Sequence, residues 1–340
     1  MSSPLVSRDV IVVGAGILGA SVAYHAARAG AGVTLVDAGQ PGGGVTADSF
    51  AWIGASGVRR GPAAALRYTA TAEYRRLEAE VPGLPVTWSG SLSWRRDGGA
   101  PDAGPGQTIV DAATAARLEP ALQEPPEWAV WAPDDGAVDS VRVTERLAGA
   151  ARTHGARVHP DTPVTAIRRD REGRIAGVET PAGLLPGTTV VLAAGVATAA
   201  LGAQLGVHVP VEASPSPLFR FCAPAGLVRT VVNTEDFDLR QVAADRLIAA
   251  ADSRECTLAA VRSTFRGAES VELLSTRIGP RPMPVDGEPI IGPVAEVPGL
   301  YVAVTHAAVT LAAAVGRLVA RELVEGTVES ALAGCRLDRF

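Results

Sequence analysis

The sequence predicts an α/β fold that opens on a β-α-β unit and carries a second, sheet-rich (α+β) region. Three features argue for it. A β-branched run, Arg8 to Val13, leads through Gly14-Ala15-Gly16-Ile17-Leu18-Gly19 into an alanine-rich segment, Ala20 to Ala29, that stops at Gly30. A second apolar run, Val33 to Val36, closes on Asp37. Between later buried-strand patterns lie two stretches of alternating character, Pro85 to Arg96 and Val211 to Arg262, which read as strands of a separate sheet.

Each residue of the opening unit has a physical task. Gly14 permits a tight turn, Gly16 lets the backbone approach a pyrophosphate, and Gly19 allows the helix to pack closely on the strand. Free N–H groups at the helix N-terminus, around Ile17 and Leu18, favour the negative charge of phosphates. Asp37 lies 18 residues beyond Gly19, where a carboxylate reaches ribose hydroxyls and repels a 2′-phosphate, so NADP is disfavoured. A glycine-rich turn alone is weak evidence. Strand, helix, second strand and terminal acid in register make a Rossmann-like dinucleotide site.

Composition narrows the rest. With 340 residues, 47% of them apolar, the chain can bury a substantial core. The net charge of −5 and the lack of any basic block exclude a nucleic-acid surface and leave a small molecule as the expected partner. All 31 basic residues are arginine, which rules out Schiff-base, pyridoxal-phosphate and Walker lysines. Cys222, Cys256 and Cys335 lack metal or redox spacing, so neither a metal nor a disulfide is expected and a reducing, cytoplasmic setting fits. The apolar segments Val10 to Ala29 and Leu300 to Ala320 are broken by glycines or by His306 and Arg317, and read neither as a signal peptide nor as a membrane span.

After the second strand, Gly39 to Ser49 (GQPGGGVTADS) is a glycine-rich loop with hydroxyls, including Gly44, Thr46 and Ser49, suited to lie along an extended pyrophosphate. Phe50-Ala51-Trp52-Ile53-Gly54 follows. A middle block has a helix over Val141 to Thr153, a strand at Arg157-Val158-His159, another over Val164 to Arg168, and a buried strand with a small-residue turn, Thr189 to Gly195. The last block reads Gly279-Pro280-Arg281-Pro282-Met283-Pro284-Val285-Asp286-Gly287-Glu288-Pro289-Ile290-Ile291-Gly292, then Gly299 to His306.

These four blocks, in this order, resemble the D-amino-acid oxidase, glycine oxidase and sarcosine oxidase superfamily of flavoproteins, whose closing patterns are RPxPxDGxPxIG and GLYxAxxH. The resemblance implies a Rossmann-like FAD-binding domain from residues 1–84, 136–210 and 277–340, and a substrate-binding domain from 85–135 and 211–276. It implies cofactor contacts from Gly14, Gly16, Ile17, Leu18, Gly19, Asp37, Ala38, Gly44, Thr46, Ser49, Trp52, the Val164 backbone, Ala193, Ala194, Gly195, Arg281, Ala307, Ala308, Val309 and Thr310. The helix after His306, roughly Val309 to Glu325, would aim its N-terminus at the flavin pyrimidine, stabilising negative charge on the reduced ring. Covalent attachment in the sarcosine oxidase branch needs a cysteine that would fall near Met283; none is close, so non-covalent FAD is expected.

The resemblance makes Arg281 the grip on a substrate carboxylate; the competing reading is a structural salt-bridge partner. His306 either polarises flavin or substrate or is a hydrogen-bonded structural histidine at a strand-to-helix turn. Asp286 reads as a turn-ordering residue. The expected reaction is hydride transfer from the α-carbon of an amino acid or secondary amine to flavin N5, giving an imine. The sarcosine oxidase branch places a lysine near the flavin to activate oxygen and this chain has none: either Arg277 substitutes, or the enzyme works as other oxidases do without that lysine, or it is a dehydrogenase with another acceptor. The family often has His-Ser-Gly or His-Gly where this chain has His306-Ala307-Ala308, and a proline where Ala313 stands; a positive φ at that glycine would strain alanine. A nicotinamide dehydrogenase and a non-catalytic flavin-binding subunit are the rival readings, while an aromatic hydroxylase would carry a GDAAH-like segment that is missing.

Overall fold

A computed structural model describes residues 9–54, 61–96 and 102–340. Arg8, with which the first expected strand opens, lies outside these residues. The first expected strand forms as Asp9–Val13 and sits between Gly32–Val36 and Thr189–Leu192, parallel to both, with Val12 opposite Leu35 and Val191. Leu300–Val304 and then Ile290–Pro293 extend the sheet on one side and Arg157–His159 on the other, six strands in all. Only Ile290–Pro293 runs antiparallel to its neighbour.

Both faces of this sheet are covered, which explains the unbroken β-branched run. Val10 and Val12 point into a core shared with the helices, while Ile11 and Val13 point into a second core on the opposite face. Helix Ile17–Arg28 packs against Ser140–Thr153 and Ala308–Ala320. Contact with the last is close: a Cβ on Gly316 would fall 2.1 Å from Ser21 Oγ, and that hydroxyl donates to the Ala312 carbonyl at 2.7 Å. The first helix starts at Ile17, three residues earlier than the alanine pattern suggested, because Gly19 belongs to the helix and not to the turn before it. The last α-helix ends at Ala320, and Arg321–Glu325 continues it as one wider π turn.

The second sheet has eight strands in the order Glu272–Pro284, Val211–Cys222, Arg246–Ala250, Asp238–Ala243, Val231–Asn233, Ser91–Ser93, Trp128–Ala132 and Thr108–Asp111. Its own core gathers Leu92, Phe219, Phe221, Val232, Leu239, Leu247 and Phe265. Glu272–Pro284 is an edge strand, and an edge tolerates Pro280, Pro282 and Pro284 because their missing N–H groups break no central ladder. We propose the division into 1–84, 136–210 and 277–340 against 85–135 and 211–276 as the domain organisation, with this edge strand running through its last boundary.

One side chain ties the eight-stranded sheet to the loop at Phe50 and to the strand Gly136–Val138. Arg240, almost fully buried, donates from Nε to the Phe50 carbonyl at 2.8 Å and from a terminal nitrogen to the Val138 carbonyl at 2.9 Å; burial lowers its pKa to about 10. A short sheet of Trp52–Ile53, Gly136–Val138 and Val86–Thr87 lies beside it. Among the described residues no helix is long and apolar enough to cross a membrane, and no group of His, Cys, Asp or Glu could hold a metal ion.

Candidate active site and dinucleotide cleft

The glycine turn is locked by geometry that side chains would destroy. Gly14 has φ +105, and a Cβ there would lie 2.4 Å from the Ala193 carbonyl oxygen; on Gly19 it would lie 1.9 Å from the Gly14 oxygen. The Gly14 N–H donates to the Val36 carbonyl at 2.8 Å, pinning the turn to the second strand. Thr46 reaches back so that its hydroxyl accepts the Ile17 N–H at 3.2 Å, and Ser140 in turn donates to the Thr46 carbonyl at 2.7 Å. The Asp37 carboxylate takes the Ala15 N–H on Oδ2 and the Gly39 N–H on Oδ1, the latter at 2.8 Å.

Around this turn opens a cleft of about 410 Å³. Its walls bring together Gly14, Gly16, Ile17, Leu18, Asp37, Ala38, Gly44, Thr46, Val164, Ala193, Ala194, Gly195 and Ala308. Gly19 stands behind the wall, in the helix. Ser49, Trp52, Ala307, Val309 and Thr310 are off the wall; Trp52 and Thr310 are joined, the Thr310 hydroxyl donating to the Trp52 carbonyl at 2.9 Å. Sequence reasoning missed Thr162, Pro163, Pro282 and Thr305, which also line the cleft. Pro282 sits next to a residue that was singled out; Thr162 and Pro163 precede Val164 in a turn whose role only the strand at Arg157–His159 makes visible.

The loop that follows the second strand is held from the eight-stranded sheet. Arg277 pairs with Asp48 at 3.0 Å, Arg220 donates to the Ala47 carbonyl at 3.0 Å, and Gly279 faces Asp48 and Val45 closely enough that a Cβ would sit 3.0 Å from Asp48. Arg277 thus has its charge balanced by Asp48. Asp286 accepts the Glu288 N–H and pairs with Arg339, so it orders its turn.

The Ala307 turn carries no strain: its φ is −80, and Ala308 N–H closes onto the His306 carbonyl at 2.8 Å. Positive φ at non-glycine described residues falls instead on Asp161, at +50, and on buried Ala51, at +60, whose N–H donates to Ser49 Oγ at 3.1 Å. Trp52, one residue on, is fixed by Asp135: the indole Nε1 donates to Oδ2 at 3.0 Å and the Ser91 hydroxyl to the same oxygen at 2.7 Å. Burial raises the Asp135 pKa to about 6. The folded chain then holds this proton more tightly than the unfolded chain, so stability falls as pH rises from about 4 to 6. Asp135→Asn, which keeps an oxygen for both donors, is expected to raise stability at pH 7 by roughly 1–3 kcal/mol in chemical denaturation, whereas Asp135→Ala lowers it.

Arg281 stands opposite Ser214 across paired strands, so both side chains share one face, and a terminal guanidinium nitrogen donates to Ser214 Oγ at 3.1 Å. Its Nε is buried with no partner, and no acid lies within ion-pair distance among the described residues. His306 makes no side-chain hydrogen bond among them either. Burial, then the charges of Arg281 and Arg67, lower its pKa to about 4, so the imidazole is neutral at physiological pH. Between about pH 6.5 and 4 the unfolded chain binds this proton first, and stability falls with pH. His306→Gln is expected to remove up to about 3 kcal/mol of that loss, read as a smaller drop in Tm between pH 7 and 4.5 than in the parent protein. Sequence reasoning missed Arg67, in the first turn of helix Ala64–Glu80. The signal was there: a cation at a helix N-terminus opposes the macrodipole and calls for a tertiary reason.

The family model DAO, FAD dependent oxidoreductase, matches residues 9–322. The chain belongs to that family. It is 26% identical to glycine oxidase of Geobacillus kaustophilus (strain HTA426) over 339 residues, spanning 88% of this chain and 87% of that protein. Mitochondrial sarcosine dehydrogenase of Homo sapiens is 31% identical over 232 residues, 62% of this chain and 25% of that protein. The crystal structure of the Geobacillus kaustophilus glycine oxidase superposes with a TM-score of 0.85 at 25% identity, covering 98% of each chain. An L-amino acid deaminase from Proteus vulgaris shares the fold at a TM-score of 0.88 and 20% identity, covering all of this chain and 96% of that one. This DAO-family protein is therefore an FAD-dependent oxidoreductase with the family's mixed α/β fold. The cradle of glycines, the helix N-terminus beyond Ile17 and the cleft fit the dinucleotide.

Proposed function

We propose that the enzyme oxidises a C–N bond of an amino acid or secondary amine, and that Arg281 grips the substrate carboxylate. The observation that carries this reading is the unbalanced guanidinium: among the described residues Arg281 is half-buried, bonded to the Ser214 hydroxyl alone, and has no acid within ion-pair distance. A planar guanidinium left without a partner is a two-point site for a carboxylate, with charge-assisted bonds of roughly 1.5–3 kcal/mol each. The glycine, sarcosine and L-amino-acid substrates in its relatives' names support the same class.

Bound FAD supplies the hydride acceptor. The chain's part is to orient and exclude water. Gly14, Gly16, Ile17, Leu18, Gly44 and Thr46 would hold the pyrophosphate, Asp37 the ribose through its remaining lone pairs, and Val164, Ala193, Ala194 and Gly195 the adenosine end. Trp52, Ala307, Ala308, Val309 and Thr310 would face the flavin, Ser49 and Gly19 acting from behind. Arg281 fixes the α-carbon, and neutral His306 polarises the site without competing for the carboxylate. No cysteine stands near Met283, which supports non-covalent attachment. The test is an anaerobic absorbance titration with D- and L-amino acids, N-methylglycine, proline and bulkier secondary amines, followed by air. Bleaching of the band near ~450 nm by one of them is expected, a chemistry the flavin provides. Recovery in air marks an oxidase, and persistence of the bleached form marks a dehydrogenase. Yellow protein bleached by dithionite but by no amine overturns the reading.

A further inference from the structure

Helix Ile17–Arg28 borders two hollows. Ile17 and Leu18 line the dinucleotide cleft, whereas Tyr24, farther along, lines a separate cavity of about 570 Å³ that shares no described lining residue with the cleft. One wall of this cavity is a face of helix Ser140–Thr153, where Arg142, Arg146, Gly149 and Thr153 recur at spacings of three and four beside the core stripe of Val143, Leu147 and Ala151. Gly149 points to an occupant. It stands inside a helix, where glycine is the poorest choice short of proline, and no packing reason calls for it, since a Cβ there would meet nothing within 4 Å. Its missing side chain widens the cavity midway along the helical wall. Arg142 and Arg146 stand toward the helix start, and neither pairs with an acid among the described residues. At the other end His154 lies against the buried Tyr24 ring, with 5.9 Å between centroids. Of the described carboxylates lining the cavity, Glu80 is already held by Arg28 at 3.0 Å and Arg76 at 2.5 Å, which leaves exposed Glu145 as the unpaired one.

We propose that this cavity is a second binding site, for a small molecule with an anionic head and a flat apolar body: an aryl phosphate or an aryl carboxylate. The head belongs at Arg142 and Arg146, two guanidinium groups one turn apart that can close on one oxyanion with charge-assisted bonds. The body belongs over Gly149 and Ala150, against Tyr24, Val81 and Pro82, where the surface is apolar and a ring can meet a ring. About 12 Å of helix axis separates Arg146 from His154, room for two fused rings and their charged group. Each half is weak by itself. Two solvated arginines hold a bare anion poorly, and an open apolar floor holds a neutral ring poorly, so affinity requires both on one molecule.

The experiment titrates the FAD-loaded enzyme by calorimetry with naphthyl phosphate, inorganic phosphate and naphthol at constant ionic strength. Naphthyl phosphate is expected to saturate at one per chain, at least about tenfold tighter than either fragment. Gly149→Leu should fill the cavity and weaken naphthyl phosphate by at least about tenfold, and the double variant Arg142→Gln, Arg146→Gln should bring its affinity to within about threefold of naphthol's. Gly149→Ala tests the premise: a methyl in open space on a helix should raise Tm by about 1–3 °C, and a lowered Tm would give the glycine a packing role and defeat the proposal. Absence of saturable binding by the wild-type enzyme, or an affinity no tighter than that of inorganic phosphate or of naphthol, overturns it with no variant needed. So does binding that survives Gly149→Leu; its loss in Arg281→Gln would then place the anion in the substrate site.

Discussion

Replacing Gly19 with alanine is expected to give protein with less than about a tenth of the parent's FAD per chain, measured from the ratio of visible to ultraviolet absorbance after purification. The added methyl would sit 1.9 Å from the Gly14 carbonyl oxygen and 3.2 Å from the Ala193 Cβ. Neither neighbour can yield. Gly14 is held at φ +105 and tied to Val36, and Ala193 is tied through its N–H to the Val13 carbonyl at 2.8 Å. The helix must therefore lift from the sheet, which moves the Leu18 N–H away from the place the phosphates require and strains the Ile17 N–H bond to Thr46. Overpacking of this kind costs about 1–3 kcal/mol in folding, and more here because two backbone strands form the wall. Gly16→Ala is the informative contrast. Its Cβ would meet only Thr46 Oγ1, at 3.2 Å, and a rotating hydroxyl can give way, so partial FAD retention is expected.

What the sequence showed and what it hid divide along a physical line. Elements whose logic is local were legible: the β-branched run of Asp9–Val13 is apolar throughout because both faces are buried, and the glycines that follow are dictated by backbone clashes within one turn. The strand at Arg157–His159 was readable for the same reason, being short and bracketed by turn residues. The strand expected over Val164 to Arg168 begins two residues later, at Ala166, because Val164 turns to the cleft before pairing with Ile175–Thr180 begins.

Tertiary logic was not legible. Trp52 and Asp135 are 83 positions apart, and nothing near either residue says that the indole will donate to that carboxylate. Arg67 reaches the neighbourhood of His306 only because helix Ala64–Glu80 packs on Ala308–Ala320, where Tyr74 also donates to the Val309 carbonyl at 2.5 Å. The Ala307-Ala308 turn looked strained by analogy and is not, since the chain enters the helix with negative φ. The strained alanine, Ala51, lies where the loop from the phosphates reaches Trp52, and alanine there shows no local signature in sequence.

Arg281→Met should lower kcat/KM for the best carboxylate-bearing amine by roughly 30- to 3,000-fold, the range expected when one partner of a desolvated charge pair is removed. Methionine preserves the length and apolar stem of the side chain, so the Glu272–Pro284 edge strand and its pairing with Val211–Cys222 should persist. Losing the Ser214 bond costs little stability, because a hydroxyl that is not fully buried turns to water. Unchanged FAD content and a Tm within a few degrees would confirm that the change is local. The division between kcat and KM then carries information. A clamp that binds ground and transition states equally raises KM alone, whereas one that aligns the α-carbon also lowers kcat. The geometry favours the second outcome, since Arg281 is fixed from behind by Ser214 and brings a preset direction to the carboxylate. His306 offers an internal control: its pKa near 4 comes first from burial and then from the two arginines, so removing Arg281 should let it rise by the lesser part of that lowering. A pH dependence of ligand binding that begins at higher pH in Arg281→Met than in the parent, above its pKa of about 4, would show that the guanidinium acts on the imidazole as well as on the substrate.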